Sequence, residues 1–261
     1  MALSAASLNE IWKRKSLIRV FAINDLKLKY KNSVLGFLWS ILEPLLMLSV
    51  LYIVFTKAIK VDIPYYPLYL LLGLIMWHML TRATSMSLNS IVGRGAIIKN
   101  VNFPKEIAPL SACITAFIMM CVEFIVFAAF LIFYQFVPPI TIVFIPLLLG
   151  IQFIFVLGLS LPLSALNVYS RDLQHIWPIL LQVAFFLMPI IYRPTILPED
   201  FQSLISIIPM SRIIDMAHNL ALYNILPPVT DWIYVTATSF AILALGYFAF
   251  RKLEERISEE L

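Results

Sequence analysis

Charge is scarce in this chain: Asp, Glu, Lys and Arg make up 13% of 261 residues, and hydrophobic residues make up 61%. A soluble domain carries about 25% charged and about 45–50% apolar residues. A water-soluble core of this size cannot hide so much apolar surface. A disordered chain is excluded on the same ground. Cysteine is scarcer still. The only two, Cys113 and Cys121, lie eight residues apart in one apolar run. That is about 12 Å along a helix, beyond disulfide reach, so they read as packing residues and a secreted disulfide scaffold is excluded. There are seven glycines and none precedes lysine, which leaves no G-x-x-x-x-G-K-[ST] phosphate loop. Gly93-Arg94-Gly95 lacks the strand and the third glycine of a dinucleotide site. No H-E-x-x-H, G-x-S-x-G or paired-cysteine metal spacing occurs. Three scattered histidines, His78, His175 and His218, do not form a proton relay.

What the sequence does have is long apolar runs. A spanning helix needs about 20 mostly apolar residues. Six runs qualify: 36–55, 67–92, 107–133, 140–165, 176–192 and 232–250. The second is the least apolar, because Thr81, Arg82, Thr84, Ser85, Ser87, Asn89 and Ser90 fall in its later half. No cleavable signal peptide is expected in residues 1–35. Leu17, Phe21 and Leu28 there share a helical face among Lys13, Arg14, Lys15, Arg19, Lys27, Lys29 and Lys31. This pattern predicts an amphipathic interfacial helix with its cations toward anionic lipid. The predicted fold is an all-α integral membrane protein of six transmembrane helices (36–250), with residues 251–261 as a cytoplasmic tail.

Six spans put both termini on one side. That side also collects Arg94, Lys99, Lys105, Arg171, Arg251, Lys252 and Arg256, against Lys57, Lys60, Arg193 and Arg212 opposite. Positive charge marks the cytoplasmic face, so both termini are expected there, in a multi-pass protein of the cell inner membrane. Opposite lies a long proline-broken segment, 193–231. Phe201, Leu204, Ile205 and Ile208 share one helical face before Pro209, and Met210, Ile213, Ile214, Ala217 and Leu220 share another after it. Two short re-entrant or capping helices are predicted, forming an outer gate that includes Phe201, Ile205, Pro209, Met210, Arg212 and Ile213.

Three charges fall inside spans: Glu43, Arg82 and Glu123. A charge at a helix centre costs about 2.5–3.5 kcal/mol on insertion scales and seeks a partner or water. Counting along the helices puts Glu43 about 10 Å and Arg82 about 8 Å from the inner surface. The two are expected to pair, unless Arg82 snorkels to the headgroups. Glu123 lies deeper, without an evident partner.

Arg19 to Pro44 reads R-V-F-A-I-N-D-L-K-L-K-Y-K-N-S-V-L-G-F-L-W-S-I-L-E-P. This resembles the opening of permease subunits in the type 2 ATP-binding-cassette exporters of cell-surface polysaccharide. Arg171-Asp172-Leu173 with Pro189-Ile190-Ile191-Tyr192 resembles that family's R-D-[LI] turn and P-I-x-Y span end. Ile208-Pro209-Met210 resembles its N-P-M segment, with isoleucine in place of asparagine. The resemblance implies a homodimer with two separate ATPase subunits, which would hold ATP and Mg, while this chain binds no cofactor and catalyses nothing. It also implies export of a lipid-linked glycan through a conduit framed by the first and fifth spans. Tyr52, Phe55, Gln182, Phe185 and Tyr192 are candidates for its wall, where aromatic faces would let a polymer slide; core or lipid-facing aromatics are the alternative.

The longest inner connection, Gly93–Ile107, mixes Ile97, Ile98, Val101 and Phe103 with cations. It suits docking to an ATPase through Arg94, Lys99, Asn100, Phe103, Pro104 and Lys105, or is an ordinary amphipathic connector. Arg171 and Asp172 are further contact candidates, or a solvated pair of little consequence. The outer charges nearly balance: Lys57, Lys60, Arg193 and Arg212 against Asp62, Glu199, Asp200, Asp215 and Asp231. That favours an O-antigen type glycan over an anionic capsule or teichoic acid. Nucleic acid is not an expected partner, whereas membrane lipid is. An ion-coupled secondary transporter would need relays or broken-helix repeats that are not seen. A lipid-modifying enzyme would need a nucleophile–base or metal set.

Overall fold

A computed structural model describes residues 13–31, 33–58, 60, 63–101 and 103–260. The first twelve residues of the interfacial segment, and Asp62, lie outside the described residues. Among the described residues there is helix and no strand. The helices are α1 (Lys15–Tyr30), α2 (Trp39–Ile53), α3 (Tyr66–Ser90), α4 (Gly95–Asn100), α5 (Ile107–Phe133), α6 (Ile145–Tyr169), α7 (Leu173–Leu187), α8 (Glu199–Ser206), α9 (Pro209–Leu222) and α10 (Val229–Glu260). Four stretches are long and apolar enough to cross a membrane: Trp39–Lys57, Ile107–Phe133, Ile140–Tyr169 and Val229–Glu254.

The other two predicted spans depart from that pattern for different reasons. Helix α3 is long enough, with 25 residues, but 20 of them are buried inside the protein. It packs against α2, α5, α6, α7 and α9. A helix walled by protein rather than lipid can carry serine and threonine, and so reads as less apolar. Helix α7 is apolar but has only 15 residues. That gives about 22 Å, short of a ~30 Å hydrocarbon core. The expected span to Tyr192 is corrected here: the helix stops at Leu187, and Met188–Tyr192 is non-helical. Pro189 lacks the N–H that a continuing helix would use.

The most extensive helix pair is α6 with α10. Glycine makes it possible. A Cβ built on Gly158 would come within 2.6 Å of the Leu243 nitrogen, and one on Gly246 would collide with the Gly158 oxygen. Only bare backbone fits at such a crossing. Helix α1 lies against α5, and the Thr115 hydroxyl donates to the Ala22 carbonyl at 3.3 Å. Phe21, Ile91, Ile98, Phe103, Ile107 and Phe250 form a second apolar cluster, which anchors α1.

Candidate functional site

Two polar centres stand out inside this apolar bundle. The first is built on α2, α3 and α5. Arg82 Nη2 donates to Glu43 Oε2 at 3.1 Å, and Arg82 Nη1 lies 2.6 Å from Glu123 Oε1. His78 Nδ1 is 3.2 Å from the same Glu123 oxygen. Glu123 therefore has partners that depth counting alone missed: one guanidinium serves two carboxylates from different helices. The burial is uneven. The side chain of Glu123 is 0% exposed, but that of Glu43 is 54% exposed. Burial, and then the nearby Arg82 guanidinium, hold the Lys29 ammonium of α1 below its usual pKa.

The second centre lies where α7 ends. Buried non-helical backbone persists only if its polar groups find partners. Tyr66 donates to the Ile191 carbonyl at 2.8 Å. The Tyr69 hydroxyl shares its single proton between the carbonyls of Pro189 (3.1 Å) and Tyr192 (2.8 Å). Behind Tyr69 stacks His218 of α9, ring centroids 3.7 Å apart and 12° from parallel. Burial lowers the His218 pKa to about 3, so the ring is neutral. Its Nε2 is 2.9 Å from the Tyr69 carbonyl and must carry the proton, since a carbonyl only accepts. The run Tyr65-Tyr66-Pro67-Leu68-Tyr69 was the available signal for this clamp, but apolar counting opens the span at Pro67 and gives the tyrosines no separate weight.

The candidate conduit residues divide. Tyr52 and Gln182 are exposed, and Phe55 and Tyr192 are half-buried. Tyr192 turns back, donating to the Leu187 carbonyl at 3.1 Å. Phe185 is a correction: only 7% exposed, it packs edge-on against Trp77 at 6.1 Å, while Phe186 faces out at 59%. In the outer segment Ile205, Met210 and Ile213 are buried, Pro209 opens α9, and Arg212 pairs with Asp231 at 2.9 Å. Phe201 and Leu204 are exposed, so the expected apolar face of α8 reduces to Ile205.

At the end of the bundle near the termini, Asn167 of α6 donates to the Leu88 carbonyl of α3 at 2.8 Å. This brings the Arg171-Asp172 turn to the same end as Gly93–Ile107. Lys99, Asn100, Arg171 and Asp172 are exposed. Arg94 is engaged inside the subunit, paired with Asp25 and stacked over Phe21 at 4.7 Å. Phe103 is buried against Phe21, and Lys105 donates to the Glu254 carbonyl at 3.0 Å, with Pro104 half-buried between them. The connector is thus tied to α1 and α10. Among the described residues no group of three His, Cys, Asp or Glu side chains is placed to hold a metal ion.

The family described as ABC-2 type transporter matches residues 16–221. Over 249 residues the chain is 32% identical to an O-antigen export system permease protein RfbA of Klebsiella pneumoniae, covering 94% of this chain and 95% of that protein. An O-antigen export system permease protein RfbA of Myxococcus xanthus is 28% identical over 254 residues, covering 97% of this chain and 98% of the relative.

Proposed function

The chain belongs to the ABC-2 type transporter family, and on that premise we propose that it is the channel-forming permease subunit of an exporter for a lipid-linked polysaccharide of O-antigen type. In this reading two copies frame the conduit, and two separate ATPase subunits, holding ATP and Mg, drive it. Six spans cross the inner membrane with both termini in the cytoplasm, the fifth completed by the clamped segment after α7. The observation that carries the cargo assignment is similarity along nearly the whole chain to permeases named for O-antigen export.

Physical support comes from the exposed faces of α2 and α7, which both pack on α3. On α2, half-exposed Glu43 shares its surface with Leu46, Met47, Val50 and Ile53. On α7, exposed Gln182 sits among Ile179, Val183 and Phe186. A carboxylate facing hydrocarbon carries the insertion cost already given, so these faces suit a second copy and a wet conduit better than lipid. The exposed side chains of Lys99, Asn100, Arg171 and Asp172 form the docking end for the ATPase. Affinity purification of the tagged chain from its host should bring down an ATP-binding-cassette ATPase. Sealed vesicles holding both proteins should move the glycan only with ATP. Transport by this chain alone would overturn the reading.

A further inference from the structure

Helix α10 runs from Val229 to Glu260 with no proline to break it. Both of its ends are tied to other elements by polar contacts. Near the C-terminal end, Lys105 of the connector donates to the Glu254 carbonyl at 3.0 Å, and Arg251 lies 3.4 Å from buried Glu106. Tyr169, the last residue of α6, donates to the Leu253 carbonyl at 2.5 Å. These ties come from the Gly93–Ile107 connector and from the residue just before the Arg171-Asp172 turn, the two segments of the proposed docking end.

The N-terminal end of α10 grips the elbow between α8 and α9. Helix α8 stops at Ser206 and Pro209 opens α9, so the last carbonyls of α8 lack the partners that a continuing helix would give. Side chains supply them instead. Arg212 Nε donates to the Ser206 carbonyl at 2.6 Å, and the Tyr234 hydroxyl of α10 donates to the Ile207 carbonyl at 2.5 Å. Arg212 is itself held on α10, paired with Asp231 at 2.9 Å and stacked over the Tyr234 ring at 4.2 Å. Helix α8 packs chiefly on α9 and buries only Ile205, so it yields at little cost once these carbonyls are let go. Asp231 and Glu254 are about 34 Å apart along the helix axis, enough to cross a ~30 Å hydrocarbon core.

Coupling over such a distance needs a stiff element joined to a part with two arrangements. On the reading that the ATPase docks at these segments, we propose that α10 is the strut that carries its movement to the α8–α9 elbow, with Tyr234 and Arg212 as the positioning residues that hold or release α8. The close crossing with α6 at Gly158 and Gly246 keeps the strut in line.

The test uses the full complex of this chain with its ATPase in sealed vesicles, supplied with lipid-linked glycan purified from the host, and reads glycan moved per ATP hydrolysed. Tyr234→Phe keeps the ring beside Arg212 and deletes only the hydroxyl. It should lower the ratio at least threefold with an unchanged melting temperature, since a released elbow no longer follows hydrolysis. Tyr169→Phe should lower the ratio from the other end. Thr238→Val removes an α10 hydroxyl that bonds within its own helix and should keep the full ratio. Hydrogen exchange on the unaltered complex decides the matter if a variant fails to fold: the amides of 204–208 should exchange at different rates with and without ATP. A normal ratio in either folded tyrosine variant, a ratio lowered as far by Thr238→Val, or exchange at 204–208 indifferent to ATP overturns the strut and leaves the permease reading standing. Absence of ATP-driven transport by the unaltered complex overturns both.

Discussion

Arg82 holds two carboxylates at once, which determines what its replacement does. Arg82→Met leaves Glu123 buried without its guanidinium, and removing one partner of a buried pair costs about 3–5 kcal/mol. Arg82→Met combined with Glu123→Gln removes both charges and should recover most of that loss, read as melting temperature of the purified chain. The exchange Glu43→Arg with Arg82→Glu should not recover it, because a carboxylate at position 82 then faces Glu123, 2.6 Å from where the guanidinium was. Depth along two helices was enough to put Glu43 and Arg82 at one level. It was silent on Glu123, which approaches from a third helix whose rotation no count along the chain supplies. His218 makes a different demand. Its folded pKa is about 3 against 6.5 unfolded. Below pH 6.5 the unfolded chain takes up a proton that the folded chain refuses, so stability falls as pH falls toward 3. At about 1.4 kcal/mol per pH unit, the loss between pH 6.5 and 5 is about 2 kcal/mol. His218→Phe keeps a ring on Tyr69 and should flatten the stability profile in that window, measured by thermal unfolding across pH.

At the scale of elements, helices are selected by what surrounds them. Sequence hydropathy finds the four stretches whose apolar surface stays largely uncovered within the chain. It undervalues α3, which is sheathed by other helices, and overextends α7, where an apolar run continues past Leu187 although Pro189 ends the hydrogen bonding. The tyrosine clamp that rescues this broken end joins residues more than 100 positions apart, a relation without local signature. The crossing of α6 and α10 was equally silent, since Gly158 and Gly246 carry no pattern until the helices are laid together. Their contact gives a sharp expectation. Gly158→Leu or Gly246→Leu must push the helices apart and should cost about 3 kcal/mol, seen as a lower melting temperature and yield. Gly150→Leu, on the same helix but facing open space, should leave both unchanged.

For the whole molecule, the question is which surface meets the proposed conduit. Periodicity on α7 cannot separate two adjacent phenylalanines, since both are apolar and one residue is 100° of helix. Packing separates them: Phe185 turns to Trp77 in the core, and Phe186 turns out beside Gln182. The two substitutions should therefore fail differently. Phe185→Ala empties a core site and should cost about 3 kcal/mol or more in stability, lowering export only through the amount of folded protein. Phe186→Ala gives up only an edge-on contact with Phe185 at 5.4 Å and Gln182→Ala an exposed side chain, so both should shift melting far less than Phe185→Ala, yet reduce surface glycan per molecule of permease several-fold. Normal export by both, at normal expression, would place this face of α7 against lipid. The half-exposed Glu43 on α2 would then be the remaining polar mark of the conduit, and Glu43→Leu should become the most damaging exposed substitution in the chain.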